Sequence, residues 1–349
     1  MADIGSRKAD HIDLAARGDV GFKQTTTLLE CVRLVHDALP ELDLDAIDSS
    51  VEVLGKRLSA PILIAGMTGG TARAADINRQ LAALAEERGY ALGLGSQRPM
   101  LRDAAQRATY AVREVAPNVL LLGNLGVVQA RELSSAAVTD LAQAVDADAL
   151  CVHLNPAMEV VQPEGDRDFR GGLETLARLT NDCPLPIIAK ETGCGLSRGV
   201  AARLRQVGVD HVDVSGAGGT SWVAVETQRA TSGQRALGEA FWEWGIPTAV
   251  SVAWMAEAGF RTVFATGGVK TGLDVARALA LGATCGGIAR PVLQALERGG
   301  PEEAKAYLMQ VERELKTAML LVGAADVASL RRAPRVLLGE LQAWLAGAR

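Results

Sequence analysis

The sequence predicts an α/β fold of the TIM-barrel type, a (β/α)8 barrel with an N-terminal extension and an insertion after strand six. The first observation is that short apolar runs recur along the chain, each followed by glycine or polar residues and then by an alanine-rich stretch of helical period. The second is their number, which is eight. The third is their spacing, because one strand–helix unit needs roughly 25–35 residues. A doubly wound parallel sheet is the structural alternative.

The elements follow from these runs in order. The predicted strands are Pro61–Ala65, Tyr90–Leu94, Val119–Leu122, Ala149–Val152, Pro186–Ala189, His211–Val214, Thr262–Ala265 and Thr284–Ile288. Between them, helical periodicity predicts helices at Asp76–Arg88, Gly199–Val207 and Gly272–Leu281. The sixth and seventh runs start 51 residues apart, which predicts the insertion.

The ends of the chain complete this organisation. Residues 1–60 precede the first strand, residues 61–300 form the barrel core, and residues 301–349 form a tail whose pattern is helical from Pro301 through Leu320. No linker-like composition separates these parts, so we expect a single domain over residues 1–349.

Composition and charge exclude several classes of function. The net charge is −5 and the pI is about 5.6, so neither nucleic acid nor an anionic membrane is attracted in general. The five cysteines show no metal-ligand or CxxC spacing, which predicts reduced thiols. The N-terminus is too polar for a signal peptide, and no apolar run is long enough to span a membrane. We therefore expect a cytoplasmic protein.

The most informative segment is His153–Asp166, which follows the fourth predicted strand. Active sites of α/β barrels lie at the carboxyl ends of the strands. His153, Asn155 and Glu159 are therefore predicted to face a substrate. Met158 is the unusual member, because a thioether neither carries a proton nor donates a strong hydrogen bond.

Polar residues and glycines follow the other predicted strands as well. They are Gly66, Met67 and Thr68 after strand one, Ser96 and Arg98 after strand two, Asn124 after strand three, Lys190 after strand five, and Ser215 and Thr220 after strand six. Such a ring is suited to surround an isoalloxazine, with Lys190 near N1 and O2 to stabilise an anionic reduced flavin. A satisfied structural charge is the alternative interpretation of Lys190, but the ring as a whole favours the flavin site.

A phosphate site is predicted near strands seven and eight. The segment ATGGVKTG at residues 265–272 precedes a helix, and GGIAR follows at residues 286–290. Glycines allow the backbone to approach a ligand, and the amides at a helix N-terminus bind phosphate. Barrels commonly bind phosphate at this place. The alternative is that Gly267 and Gly268 only make a tight turn.

Together these segments resemble the type 2 isopentenyl-diphosphate δ-isomerases. The segments are RKADHIDLA, FKQTTTLLE, GMTGG, GLGSQR, NLG, HLNPAMEVVQPEGDRDF, KETGCGLSR, SGAGGTSW and GGVKTGLDVARALALGA. The resemblance extends from about Arg7 to the end of the barrel, and the order and density of the segments establish it.

The resemblance implies an FMN- and Mg2+-dependent enzyme that interconverts isopentenyl and dimethylallyl diphosphate. It implies a flavin active in its reduced form, NADPH or another reductant, and a homo-oligomer such as a tetramer or octamer. The flavin contacts map onto Gly66, Met67, Thr68, Ser96, Asn124, Lys190, Ser215 and Thr220. The flavin phosphate maps onto Gly268, Val269, Lys270, Ala289 and Arg290.

The resemblance also assigns the substrate groups. Those for the diphosphate are Arg7, Lys8, His11, Arg98, His153 and Asn155, with Gln162 nearby and Glu159 holding Mg2+. Arg7 and Lys8 would by default be solvated, but they precede a segment that can fold over the barrel mouth. Trp222 and Glu226 are four residues apart, hence on one face of a helix, and line the pocket in the family pattern. A tryptophan there is equally suited to packing.

One position departs from the family pattern. The family has Asn-Pro-x-Gln-Glu, with the glutamine facing the reacting carbons, whereas this chain has Met158 in its place. The catalytic candidates that the resemblance implies are Lys190, Trp222, Glu226 and Met158, the last because it occupies the position of the family's glutamine. Met158 presents a soft apolar surface that suits a longer prenyl chain. The alternative function is thus a divergent FMN enzyme acting on another prenyl or allylic phosphate.

Three other classes are less consistent with the residues. A hydroxy-acid oxidase requires a strand-end histidine as its base, and SGAGGTSW contains none. A nucleotide dehydrogenase requires a nucleophilic cysteine in the glycine-rich loop after strand six, which is absent there. A non-catalytic flavoprotein would not need so many polar groups beyond the flavin ring.

Overall fold

The centre of the molecule is a closed barrel of eight parallel strands. A computed structural model describes residues 4–347, with the side chains of residues 4–7 and of Ser232 left out. In chain order the strands are β1 (Ile62–Ile64), β2 (Ala91–Gly93), β3 (Leu120–Gly126), β4 (Ala149–Leu154), β5 (Ile187–Glu191), β6 (His211–Asp213), β7 (Thr262–Ala265) and β8 (Cys285–Ile288). Each strand pairs with the next, and β8 pairs with β1. The prediction of a (β/α)8 barrel is confirmed.

Helices surround the barrel. They are Ala72–Arg88 after β1, Val127–Arg131 and Ser135–Gln143 after β3, Pro156–Val161 and Gly172–Asp182 after β4, Arg198–Gln206 after β5, Trp222–Arg229, Ser232–Ala240 and Thr248–Glu257 after β6, Gly272–Ala280 after β7, and Arg290–Leu321 after β8. Three helices after β6 account for the predicted insertion. After β2 the chain forms two short 3₁₀ segments, Arg98–Leu101 and Ala104–Thr109, in place of an α-helix.

The long C-terminal helix is two helices in series. Gly299 and Gly300 leave helical geometry, and Gly300 has a φ of 71°. Pro301 disfavours the helical conformation in the residue before it, which explains a break at this point. The predicted helix from Pro301 through Leu320 is therefore the second of the two.

The ends of the chain meet on the outside of the barrel. Strand Val32–Leu34 pairs antiparallel with strand Arg335–Leu337, and the helices Val327–Arg332 and Gly339–Gly347 flank the latter. A hairpin of Val51–Val53 with Lys56–Leu58 packs against the inner barrel residues through Val53 and Leu58. Short 3₁₀ turns at Leu29–Cys31 and Leu44–Ala46 complete this segment.

The core has two main parts separated by the sheet, and Val20, Ala224 and Val225 form a small third cluster. The barrel interior is filled by small and branched side chains together with one aromatic ring; these residues include Leu63, Ala91, Leu120, Leu122, Ala149, Cys151, Ile188, Phe264 and Cys285. The larger part lies between the strands and the helices. Because apolar side chains fill the lower interior, polar strand-end residues are confined to the open end.

The N-terminal helix Ile4–Arg17 packs against the helices Trp222–Arg229 and Arg290–Leu321. Ile12 and Ala16 are buried, and the Nη1 of Arg73 donates to the Oδ1 of Asp13 at 2.7 Å. Across the part of the chain that the structure describes, no helix has both the length and the apolar character needed to cross a membrane.

Close helix packing leads to a test of the fold. A Cβ at Gly272 would lie 2.0 Å from the carbonyl oxygen of Val311 and 2.4 Å from the amide nitrogen of Leu315. Since both are backbone atoms of a packed helix, we expect Gly272→Ala to reduce the free energy of unfolding by at least about 2 kcal/mol. The midpoint of urea denaturation measures this change.

Gly233→Ala is the matched control. Gly233 also lies in a helix, Ser232–Ala240, but a Cβ there meets nothing within 4 Å. We expect this change to be neutral or to stabilise the protein by up to about 1 kcal/mol. Equal effects of the two substitutions would contradict the packing described here.

Candidate active site

The open end of the barrel contains a cavity of about 760 Å3. Residues that follow all eight barrel strands line it, and Lys8, His11, Ile12 and Ala15 of the N-terminal helix close one side. The size is within the usual range for small-molecule and cofactor sites.

The structure brings nearly all of the predicted site residues to this cavity. Those lining it are Lys8, His11, Gly66, Met67, Thr68, Ser96, Arg98, Asn124, His153, Asn155, Met158, Glu159, Gln162, Lys190, Ser215, Thr220, Trp222, Gly268, Val269, Lys270, Ala289 and Arg290. Glu226 is fully buried behind the lining. The side chain of Arg7 lies outside the described residues.

Two glycine-rich loops form one end of the cavity. Gly267 and Gly268 have φ values of 94° and 81°, a left-handed conformation that favours glycine. A Cβ at Gly219 would lie 2.3 Å from the amide nitrogen of Gly268, so the loops after β6 and β7 pack backbone against backbone. The tight turn predicted at Gly267 and Gly268 is therefore present, and it packs directly on the loop after β6.

Arg290, which also lines the cavity, binds the end of the N-terminal helix, a contact that the sequence did not indicate. Its Nε donates to the carbonyl of Ala15 at 2.8 Å, and its Nη2 donates to the carbonyl of Gly18. These carbonyls belong to the last turn of the N-terminal helix and the residue after it, where intrahelical partners are lacking. Arg290 thus joins the predicted phosphate site to the helix that carries Lys8 and His11.

The floor of the cavity contains a buried ion pair. The Nζ of Lys190, at the end of β5, donates to the Oδ2 of Asp213 at the end of β6. The hydroxyl of Thr266 donates to the Oδ1 of Asp213. Asp213 is 2% exposed and was missed in the sequence, although an acidic residue within the apolar run HVDV was a usable signal.

The side of the cavity at β3 and β4 contains an oriented histidine. The amide Nδ2 of Asn124 donates to the carbonyl of Leu94 at 3.1 Å, so its Oδ1 accepts from the Nδ1 of His153 at 2.8 Å. Burial, with the nearby charges of Lys190, Lys8 and Arg98, lowers the pKa of His153 to about 3. In the free protein His153 is therefore neutral, and its Nε2 presents a lone pair.

Glu159 lies on the short helix that follows β4. Its Oε1 accepts from the Nδ2 of Asn155 at 2.9 Å, and its Oε2 accepts from the amide of Asp166 at 2.8 Å. Each carboxylate oxygen has a second lone pair free for a metal. Among the residues that the structure describes, no group of three or more His, Cys, Asp or Glu side chains is arranged to hold a metal ion. A metal bound by Glu159 would take its remaining ligands from water or from a bound substrate.

Met158 and Gln162 lie near Glu159 in the chain and differ in polarity. The Sδ of Met158 lies 3.9 Å from the Nδ2 of Asn155 and makes only a weak polar contact. Gln162 is 4% exposed, and its Oε1 has no hydrogen-bond partner within the described part of the chain. A buried amide oxygen on a cavity wall is suited to bind a ligand donor.

Glu226 holds the N-terminal helix from behind. Its Oε1 contacts the Nε2 of His11 at 2.7 Å, and its Oε2 accepts from the Nη1 of Arg229, also at 2.7 Å. Burial raises the pKa of Glu226, but the hydrogen bond to His11 and the charge of Arg229 outweigh it and lower the pKa overall. The His11 ring also meets Trp222 edge to face, with centroids 5.3 Å apart. His11 and Trp222 line the cavity, whereas Glu226 does not.

The cationic groups are concentrated near the end of β2. Lys8 donates from Nζ to the carbonyl of Ser96 at 3.3 Å, which brings the N-terminal helix to this strand. Arg98 lies 3.8 Å from the carboxylate of Asp166, which also accepts from the amide of Gln129. An anion entering the cavity would meet both Lys8 and Arg98.

Similarity to known proteins is extensive. The FMN-dependent dehydrogenase family matches residues 156–336. Proteins named isopentenyl-diphosphate delta-isomerase are similar over almost the whole chain: the one from Thermococcus kodakarensis is 44% identical over 97% of this chain and 93% of its own length. That from Methanothermobacter thermautotrophicus is 43% identical over 98% and 96%. The chain belongs to the FMN-dependent isopentenyl-diphosphate delta-isomerase family.

Solved structures support the fold. A mandelate oxidase variant with benzaldehyde superposes with a TM-score of 0.67 at 20% identity, over 94% of each chain. A second variant, with a monooxide FMN adduct, gives 0.65 at 18% identity, over 93% of this chain and 95% of that chain. At this identity the likeness establishes the barrel alone, and the isomerase relatives establish the family.

Glu191 is a further buried carboxylate, for which the sequence indicated no role beyond its place in the polar end of strand five. It ends β5 and is 5% exposed; it accepts the backbone amide of Thr192 at 2.6 Å and that of Cys194. Burial raises its pKa to about 7, although these amides favour the charged form. Glu191 therefore fixes the loop that brings Thr192 and Gly193 to the cavity.

The raised pKa of Glu191 predicts a pH-dependent stability. A group with a raised folded-state pKa contributes stability below its unfolded value near 4.5, and this contribution is lost as pH rises through about 7. We therefore expect Glu191→Gln to gain stability relative to the wild type between pH 5 and pH 8, by up to roughly 3 kcal/mol. Urea denaturation at the two pH values measures the difference.

Glu132→Gln provides the control, because the side chain of Glu132 is 69% exposed. The relative stability of this variant should be the same at both pH values. If Glu191→Gln also shows no pH dependence, Glu191 does not take up a proton in the folded state.

Proposed function

We propose that this protein is an FMN- and Mg2+-dependent isomerase that interconverts isopentenyl diphosphate and dimethylallyl diphosphate. The observation that carries the proposal is one continuous cavity with a glycine-rich end suited to phosphate and a cationic end at Lys8 and Arg98. Isomerases at 43–44% identity over nearly the whole chain support it.

The residues present fit a flavin. The Oγ1 of Thr68 is buried in the cavity wall and has no partner among residues 4–347, so it is available to a heterocyclic edge. Lys190 offers an ammonium at the floor, and the loop amides of Gly268 and Val269 lie at the phosphate end. Reduced FMN held there would supply an electron-rich ring whose N5 can exchange a proton without net redox change.

The cationic end fits a diphosphate. Lys8 and Arg98 supply charge, and Asn155 supplies an oriented amide. His153 can donate to a phosphate oxygen only after it takes up a proton on Nε2, because its Nδ1 is already bound to Asn124. Glu159 would hold Mg2+ together with diphosphate oxygens, which matches the usual preference of Mg2+ for one or two carboxylates plus phosphates.

The proposed reaction needs a cavity that is shielded from water, and the N-terminal helix closes one side of it. Moving a double bond by adding and removing protons gives cationic character to a tertiary carbon, which water would trap. Trp222 presents its indole to the cavity, and an aromatic face stabilises a nearby cation. Glu226 acts on this arrangement through His11, whose contact it fixes. It is a positioning residue, since it does not reach the cavity.

Met158 supports a second candidate function. It lines the cavity beside Asn155, at the position where the family pattern has glutamine. A flexible thioether adapts its shape to apolar ligands. A longer prenyl diphosphate or another allylic phosphate is therefore the alternative substrate.

We further propose that the protein works in the cytoplasm as a homo-oligomer, a tetramer or octamer, and that NADPH or a similar reductant supplies the reduced flavin. The family resemblance supports all three. The cysteines Cys31, Cys151, Cys183, Cys194 and Cys285 are free thiols, consistent with a reducing compartment.

An anaerobic assay with reduced FMN, Mg2+ and labelled isopentenyl diphosphate tests the proposal. We expect wild-type turnover to labelled dimethylallyl diphosphate. Met158→Gln should raise the rate about tenfold or more, because it restores an amide that can orient a proton. Met158→Leu is the control and should give no increase, since leucine is apolar and similar in size.

The outcomes separate the two candidates. No turnover by the wild type, with activity in Met158→Gln, would contradict the five-carbon substrate and favour the alternative. Turnover of a longer prenyl diphosphate by the wild type would then support it. Failure to bind added FMN would overturn both.

The metal role of Glu159 gives a separate prediction. We expect Glu159→Gln to lower kcat/KM by about a hundredfold or more and to remove most of the response to added Mg2+, because a neutral amide binds this ion poorly. The measurement is a Mg2+ titration of the rate. Glu164→Gln is the control, as Glu164 is an exposed carboxylate two residues before Asp166. An unchanged titration in Glu159→Gln would remove Glu159 from the metal site.

A further inference from the structure

The ion pair at the cavity floor has an unusual arrangement. Lys190 faces the cavity, whereas Asp213 lies beneath it and does not line it. The two residues are direct register partners in neighbouring strands β5 and β6. The carboxylate is also bound by Thr266, which follows β7. Asp213 of β6 therefore binds a side chain from each neighbouring strand, Lys190 from β5 and Thr266 from the end of β7.

This arrangement changes what a ligand in the cavity experiences. A lone ammonium would present a full positive charge in a buried site, where charges act strongly because water is excluded. Here a carboxylate lies directly behind the ammonium, so the pair has no net charge and acts as a dipole with its positive end toward the cavity. Such a dipole orients a negatively polarised atom but attracts electrons less than a full charge does.

We propose that Asp213 is a positioning residue that fixes Lys190 and limits the positive charge that the flavin experiences. The inference rests on the proposed binding of FMN beside Lys190. Because Asp213 compensates the charge of Lys190, the ring of the reduced flavin stays electron-rich. An electron-rich ring is what a flavin needs to exchange protons. Without Asp213, the uncompensated ammonium would stabilise the reduced, more negative form of the flavin and withdraw electron density from it.

The test is the reduction equilibrium of the FMN-loaded protein against a reference dye, under anaerobic conditions. In this equilibrium two electrons pass from the reduced dye to FMN, with the accompanying protons from the buffer. We expect Asp213→Asn to shift the equilibrium constant about tenfold toward reduced flavin, which corresponds to about 30 mV for a two-electron couple. Asp213→Ser removes the same charge with a smaller side chain and should shift it in the same direction.

Asp210→Asn is the matched control. Asp210 is an acidic residue next to the other end of β6, where it pairs with Arg205 and Arg261 and does not line the cavity. We expect its equilibrium constant to equal that of the wild type. In the isomerase assay, Asp213→Asn should lower kcat while leaving KM for the diphosphate within about twofold, because Asp213 does not contact the cavity.

The outcomes are decisive for Asp213. An equilibrium constant unchanged or shifted toward oxidised flavin in both Asp213 variants would overturn the inference, and so would loss of FMN binding in both. Failure of the proposed function looks different, because the wild type itself would then not bind FMN or not turn over. A wild type that binds FMN and isomerises, with unaltered Asp213 variants, refutes this inference alone.

Discussion

Closure of the barrel is the constraint on which the rest of the structure depends. Pairing of β8 with β1 closes the eight parallel strands into a ring. Because the strands are parallel, all of their carboxyl ends meet at one opening. Residues far apart in the chain then become neighbours: Thr68, Lys190 and Ala289 follow different strands and line one cavity. Apolar side chains fill the interior below them, which leaves the opening as the place where polar side chains gather.

Local patterns were sufficient to predict the strands and the polar residues at their ends. Lys8, His11 and Trp222 were assigned to the site only through the family resemblance. An apolar run followed by a polar residue marks a strand end in any such barrel. The hydrogen bonds from Arg290 to the N-terminal segment were not predictable. They go to the backbone carbonyls of Ala15 and Gly18, which no side-chain pattern reveals. The acidic residue in the apolar run HVDV was a signal for Asp213, but its partners Lys190 and Thr266 lie on other strands and are brought to it only by the fold. The partners of Glu191 are also backbone groups, in this case amides.

Several charged side chains at the site are paired with a group of opposite charge. Lys190 is balanced by Asp213, and Arg98 lies near Asp166. Glu226 pairs with Arg229 and also contacts His11. Buried charges are costly unless they are paired, so these carboxylates stabilise the neighbouring cations in position before any ligand binds. The arrangement therefore favours preformed geometry over rearrangement on binding.

The pairing of Val32–Leu34 with Arg335–Leu337 has a consequence for the order in which the molecule forms. Contacts between distant parts of a chain form slowly, and a chain emerging from the ribosome presents its N-terminal part first. Val32–Leu34 cannot pair until residues 335–337 have been synthesised, after all eight barrel strands. The helix that carries Lys8 and His11 packs on Trp222–Arg229 and Arg290–Leu321, so its placement also depends on segments that are synthesised late. One side of the cavity is therefore built from the start of the chain but is held by its later part.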